Sequence, residues 1–142
     1  MDEVKIVLPS LSSNESYARI AVGAFVSKFD PTVEELCDIK TAVSEAVTNC
    51  IVHAYQKATG KIYISVSEKN GVLTVKVRDK GCGIPDIEKA MQPLFTTGGE
   101  ERAGLGFAVM QTFTDKLRVV SKPGKGTTVI MRKALSKKDA KK

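Results

Sequence analysis

The sequence is short of cysteine, has no long apolar run and contains no repeat, linker or low-complexity segment before its last residues. Its three cysteines (Cys37, Cys50, Cys82) are odd in number and form no C-x-x-C pair. That argues against a disulfide framework or a zinc site and for reduced thiols in the cytoplasm. No stretch approaches the roughly 18 consecutive apolar residues of a membrane span, so no membrane role is expected. Met1-Asp2-Glu3 is not the start of a basic-then-apolar leader, so no secretory signal is expected either.

What is present is one domain's worth of chain. In 142 residues with 42% hydrophobic content there is enough for a single packed core, expected over residues 1–133. The net charge of +6 invites a nucleic-acid reading. Most of the excess, however, sits in R-K-A-L-S-K-K-D-A-K-K at the end, with 6 basic and 1 acidic side chains. Residues 134–142 therefore read as a frayed basic tail, not a stripe across the body, and no direct nucleic-acid contact is expected.

The periodicity predicts a short strand from Val4 to Leu8. A helix follows, opened by a Ser12–Glu15 capping box, with Tyr17, Ile20, Ala21, Ala24 and Phe25 as its apolar stripe. Asp30-Pro31 is expected to cap a long second helix running to about Tyr55, buried through Leu36, Ile39, Val43, Val47, Cys50 and Ala54. Alternating runs at 61–68 and 72–79, joined through Asn70-Gly71, predict a hairpin. A short helical candidate spans Asp86 to Met91, and another helix is expected from Leu105 to about Thr114. A last hairpin pairs Leu117–Ser121 with Thr127–Lys133. Helices and hairpins in this order predict an α/β two-layer sandwich, with helices on one face of a mixed, largely antiparallel sheet.

Four clusters carry candidate chemistry, and each has an ordinary reading when taken alone. Glu45, Asn49 and His53 are spaced by four on the second helix and spread over only about 80° of its surface. They read either as a solvated polar face or as a carboxylate proton acceptor one turn from an amide oxygen that suits a hard cation. Asp79-Lys80-Gly81-Cys82-Gly83 follows a strand; it reads as a tight turn, or as a site where Gly81 and Gly83 admit a flat ligand while Asp79 accepts from an amino group such as adenine's. Gly104-Leu105-Gly106 is expected to open a helix, where free backbone N–H groups suit phosphate. Gly124-Lys125-Gly126-Thr127-Thr128 is by itself a glycine hairpin.

In their joint order these motifs resemble the GHKL ATPases, which share the Bergerat-type nucleotide fold of histidine kinases. Ser44-Glu45-Ala46-Val47-Thr48-Asn49, Gln92-Pro93-Leu94-Phe95-Thr96-Thr97 and Glu101-Arg102-Ala103-Gly104-Leu105-Gly106-Phe107 are similar to the anti-sigma kinase branch found in spore-forming bacteria. The resemblance covers about Val4 to Lys133. It implies ATP and Mg²⁺ as cofactors, with Asn49 on the metal and Glu45 as general base toward a serine hydroxyl. It places Asp79 on the adenine amino group with Gly81 and Gly83 beside it, Thr127 at the base pocket and His53 in the pocket wall. Met91 to Ala103, including Thr97, becomes the ATP lid, followed by Gly104, Leu105 and Gly106 at the phosphates. Arg102 is assigned to charge developing on the γ-phosphate. Gly98-Gly99 departs from the lid pattern and makes that segment more pliable.

The same resemblance implies a homodimer that holds a sporulation sigma factor of the sigma-F type and phosphorylates an anti-anti-sigma protein on serine. Arg19, expected to project outward near Glu15 and Ser16, is the residue assigned to partner contact. Other readings are a sister kinase serving a stress sigma factor and an ATP-binding switch without transfer. A histidine-kinase fragment fits less well, because the only histidine, His53, lies on the nucleotide helix itself.

Overall fold

The computed structural model describes residues 1–55, 58–84, 86 and 99–136, with the side chains of the last helix described from Gly106 onward. The element order is β1 (Asp2–Pro9), α1 (Ser13–Val26), α2 (Val33–Asn49), β2 (Lys61–Lys69), β3 (Val72–Asp79), α3 (Gly99–Phe113), β4 (Lys116–Lys122) and β5 (Gly126–Ala134). The five strands form one sheet in the order β1-β2-β3-β5-β4. Every pairing is antiparallel, so the sheet expected to be mixed has no parallel pair among the described residues. Hairpins and helix-spanned returns account for this; no strand among the described residues is followed by a crossover to a parallel neighbour.

The β2–β3 turn forms as its chemistry dictates. Asn70 and Gly71 both take positive φ, 53° and 81°, which a two-residue hairpin turn of this hand requires. Alternation then sends Ile62, Ile64, Val66, Leu73, Val75, Val77, Val129 and Met131 inward against the helices. The outward positions are strongly basic: Lys5, Lys76, Arg78, Lys116, Arg118 and Arg132 lie on the open face, with Glu3 opposite Ser67 at one edge. The near-balance of charge in the body thus conceals a separation by face, and the basicity is not confined to the tail. Nor does ordered structure stop at Lys133. Leu135 is buried in the core, and the Ser136 N–H donates to Glu35 Oε2 at 2.7 Å.

Helix α2 lies at the centre of the helical layer and buries Ile39, Ala42, Val43, Ala46 and Val47. Its cap is not Asp30. That residue takes a left-handed φ of 56° and closes a 3₁₀ turn over Ser27–Phe29. Thr32 is the residue in extended conformation, and it forms a capping box with Glu35, donor to acceptor 3.0 and 2.8 Å in the two directions. The box expected at Ser12 does not form either. Ser12 is already helical, and Glu15 instead accepts from Arg19 and from Ser44 on α2.

Helix α1 buries a different stripe from the expected one. Ala18, Val22, Gly23 and Val26 face the core, while Tyr17 and Ile20 are 57% and 59% exposed. Both stripes recur at helical spacing. Small residues decide between them: a Cβ on Gly23 would lie 3.1 Å from Lys40 Cδ, so this face lets α1 approach α2 closely.

Candidate functional site

The site grows from the end of α2. Beyond Asn49 the helix widens into a π-turn over Cys50–Ala54, ending at Tyr55, whose N–H donates to the Cys50 carbonyl at 3.3 Å. Such turns expose carbonyls to neighbours instead of the next helical turn. The Ala54 carbonyl is taken up by the Cys82 N–H at 3.1 Å. Tyr55 then locks the corner: its hydroxyl accepts from Lys80 N–H at 2.6 Å and donates to the Lys61 carbonyl at 2.7 Å.

The loop after β3 is held on both sides by backbone. A Cβ on Gly81 would lie 2.3 Å from the Ala54 oxygen, and one on Gly83 would lie 2.2 Å from the Lys122 oxygen. Gly83 also has a φ of +78°. These glycines admit neighbouring backbone, which is a different requirement from the flat ligand expected of them. Ser121 completes the clamp, accepting from Ile84 N–H at 2.8 Å and sharing a hydrogen bond of 2.8 Å with Thr127.

Asp79 and Thr127 are register partners on β3 and β5, and both are buried. Asp79 Oδ1 accepts from Gly81 N–H at 2.9 Å and from Thr127 N–H at 3.2 Å. The Cys50 thiol lies 3.6 Å from Oδ2. Burial holds the thiol well above the ordinary cysteine range, with the neighbouring carboxylate adding to it. Burial likewise raises the Asp79 carboxyl, outweighing the N–H groups and thiol that favour its ionised form.

That direction has a measurable consequence. A raised folded-state pKa means the native protein binds this proton more tightly than the unfolded chain. Wild-type stability therefore falls as pH rises from the ordinary aspartate range through the folded value, and is then level. Asp79→Asn does not titrate there. Its stability relative to wild type is expected to grow as pH rises above the ordinary aspartate range in urea denaturation. A difference that does not change with pH would mean that burial does not dominate at this carboxyl.

The second half of the site lies one to two turns earlier on α2. A Cβ on Gly106 of α3 would come within 3.2 Å of Asn49 Oδ1 and 3.3 Å of both Asn49 Nδ2 and Glu45 Oε1. Helix α3 thus crosses α2 at a point where only hydrogen fits easily. Asn49 Nδ2 is buried and has no hydrogen-bond partner among the described residues. An orphaned amide in such a cradle suits a ligand that brings its own acceptors, as phosphate oxygens do. Among the described residues no three His, Cys, Asp or Glu side chains converge as a metal cage. Mg²⁺ needs no such cage, since it commonly takes one or two protein oxygens and completes its shell with phosphates and water. The Asn49 amide oxygen is a hard donor of the kind such an ion accepts, so the residues present are compatible with that group.

The structure therefore brings Glu45, Asn49 and Gly106 together, and separately Asp79, Gly81, Gly83 and Thr127, with the Cys50–Ala54 turn linking the two groups. His53 is half-buried on that turn, and its carbonyl lies 3.4 Å from Cys82 Sγ. Helix α3 begins at Gly99, not Leu105, so Gly104 to Gly106 lie within it and do not open it. Glu100-Glu101-Arg102-Ala103 are good helix formers with acidic residues in the first turn, which favours the earlier start. Arg102, Gly104 and Leu105 are on this helix, their side chains outside the described set. Thr97 and most of the Asp86–Met91 helix and the Met91–Ala103 lid lie outside the described residues. Cys50, Tyr55 and Ser121 were not singled out from sequence as site residues. Only Cys50 carried a signal, as a buried-stripe residue next to Asn49.

Comparison with known proteins bears on the family. The histidine kinase-like ATPase domain profile matches residues 8–133. The anti-sigma F factor of Caldanaerobacter subterraneus subsp. tengcongensis is 57% identical over 138 residues, covering 96% of this chain and 95% of that protein. The anti-sigma F factor of Bacillus subtilis is 48% identical over 141 residues, covering 98% and 97%. Among solved structures, the RsbU and RsbW domains of a Mycobacterium tuberculosis protein superpose with a TM-score of 0.71 at 19% identity, covering 95% of this chain and 32% of that one; they share the fold. No described helix is long and apolar enough to cross a membrane. With the motif order, the antiparallel sheet under its helical layer and these matches in agreement, the chain belongs to the histidine kinase-like (GHKL) ATPase family and, within it, groups with the anti-sigma F factors.

Proposed function

We propose that this protein is an ATP-dependent protein-serine kinase and anti-sigma factor that works as a cytoplasmic homodimer. It holds a sporulation sigma factor of the sigma-F type and phosphorylates an anti-anti-sigma antagonist on serine. The observation that carries the reading is the buried Asn49 amide nitrogen, without a partner among the described residues, lying with Glu45 under Gly106, while the adjacent Cys50 stands against the buried carboxylate of Asp79. Those two ends match a nucleotide's two ends, phosphate and base. The names of the relatives supply the sigma-factor half of the reading.

In this mechanism Asp79 accepts from the adenine amino group while Thr127 borders the base. Asn49 binds at the phosphates through its amide. Glu45 accepts the proton of the incoming serine hydroxyl as the serine oxygen bonds to the γ-phosphorus. The bond from that phosphorus to the bridging oxygen breaks, and ADP departs with the electron pair. Mg²⁺, when bound, supplies neutralisation of phosphate charge. Arg102 is the residue assigned to offset charge on the transferring group. Radiolabelled ATP incubated with the purified protein and a candidate antagonist tests the reading. Label recovered on serine supports it, and ATP binding with no transfer in the presence of Mg²⁺ overturns the kinase half.

Arg19 is the residue proposed for partner contact. Its guanidinium is tied to Glu15 at 3.1 Å and to Ser16 at 3.2 Å, and its side chain remains 36% exposed. Tyr17 and Ile20 are exposed on the same helix, so α1 leaves apolar surface as well as this charge uncovered. Arg19→Glu is expected to weaken capture of sigma factor or antagonist at least about tenfold while ATP affinity is unchanged. Normal capture of both in pull-downs would remove Arg19 from the interface.

A further inference from the structure

The two oxygens of Asp79 have unequal surroundings. Oδ1 accepts two backbone N–H groups, from Gly81 and Thr127, which occupies both of its lone pairs. Oδ2 receives the Cys50 thiol at 3.6 Å, its one hydrogen-bond partner among the described residues, and so retains a lone pair. Cys50 is 3% exposed and Asp79 6%, so water does not readily replace the thiol. A thiol is a weak donor, and its large sulfur makes a distance of this size ordinary. What it contributes is direction. The terminal torsion of an aspartate is broad and roughly two-fold, so donors on one oxygen alone leave the carboxylate plane loosely set. A third donor on the other oxygen sets it.

We propose that Cys50 is a positioning residue for base selection, its thiol orienting the Asp79 carboxylate so that the remaining Oδ2 lone pair faces the amino group of an adenine base. The inference rests on the reading of Asp79 as the acceptor of that amino group. A base with an amino group at this point fills the lone pair. A purine without one leaves a buried acceptor unpaired, and a base with an oxo group there sets oxygen against oxygen. Discrimination among these depends on where the lone pair points, which is the property the thiol controls.

The test compares two ligands on the full chain by calorimetry: ATP and purine riboside triphosphate, which lacks the 6-amino group. Wild type is expected to prefer ATP by about tenfold or more, the usual cost of leaving a buried charged acceptor unpaired. Cys50→Ala is expected to narrow that ratio by about threefold or more, and Cys50→Ser, which restores a donor, to keep most of it. Cys50→Val fills the space without a donor and carries the same expectation as Cys50→Ala should that variant fail to fold in thermal melts. If both ligands weaken equally and the ratio is unchanged, Cys50 only packs and the proposal is overturned while Asp79 keeps its role. If wild type shows no preference for ATP, the assignment of Asp79 itself fails.

Discussion

Glu45→Gln is expected to lose most serine phosphorylation while still binding ATP and its partners. General-base assistance contributes ~10²–10⁴ in rate, so the loss should be of that order. The substitution suits the site because it changes so little else. Glu45 is half-buried on α2, with Oε1 directly beneath the point where Gly106 crosses. Glutamine matches its length and volume, so the close crossing of α2 and α3 is kept. The amide also keeps an oxygen that can accept a hydrogen bond. Only the basicity disappears. Single-turnover transfer to the antagonist, measured beside ATP affinity, separates the two roles. Transfer at the wild-type rate would contradict the base assignment, and a parallel loss of ATP binding would make Glu45 a structural or ligand-holding residue.

Asn49→Ala should produce the largest loss at the binding step. The amide oxygen is the proposed protein ligand to Mg²⁺, and the amide nitrogen is a buried donor without a partner among the described residues. An unpaired buried polar group destabilises the empty protein by roughly 1–3 kcal/mol. Removing it should therefore leave stability unchanged or raise it, even as nucleotide binding fails. The expected result is a loss of ATP affinity of at least about tenfold with Mg²⁺ present, and a much smaller loss in EDTA. A drop in melting temperature together with an affinity that does not depend on Mg²⁺ would indicate that the amide serves the fold, and the metal role would be withdrawn.

The residues divide clearly by what was readable before the structure. Asn70-Gly71 was legible as a hairpin because its requirement for positive φ is met by those two residues alone. The buried stripe of α2 was legible because it has one apolar face, and Ile39, Val43, Val47 and Cys50 all fall on it. Asp79 and Thr127 could be named from motif order, but not that one accepts a hydrogen bond from the other; that contact comes from the register of β3 and β5. Helix α1 has two stripes of helical period, and the choice between them rests on how closely the Gly23 face approaches Lys40 on α2. Ser12 and Glu15 spell a capping box, yet Glu15 is drawn to Ser44 and Arg19 instead. Gly81 and Gly83 were legible as necessary glycines, while the reason lies in the Ala54 and Lys122 carbonyls that they face.

From the chain alone, then, come the elements, the family and the residues proposed to hold a nucleotide. These depend on short-range chemistry: turn dihedrals, hydrophobic period, and motifs whose spacing along the chain is itself the signal. The tertiary structure alone decided which face of α1 is buried, why the glycines are needed, where α3 crosses Asn49, and that Cys50 stands against Asp79. It also showed that the basic side chains gather on the open face of the sheet, where an almost balanced count had hidden them. Each of these is a competition between partners distant in sequence, decided by which arrangement packs closely and leaves the fewest buried polar groups unpaired.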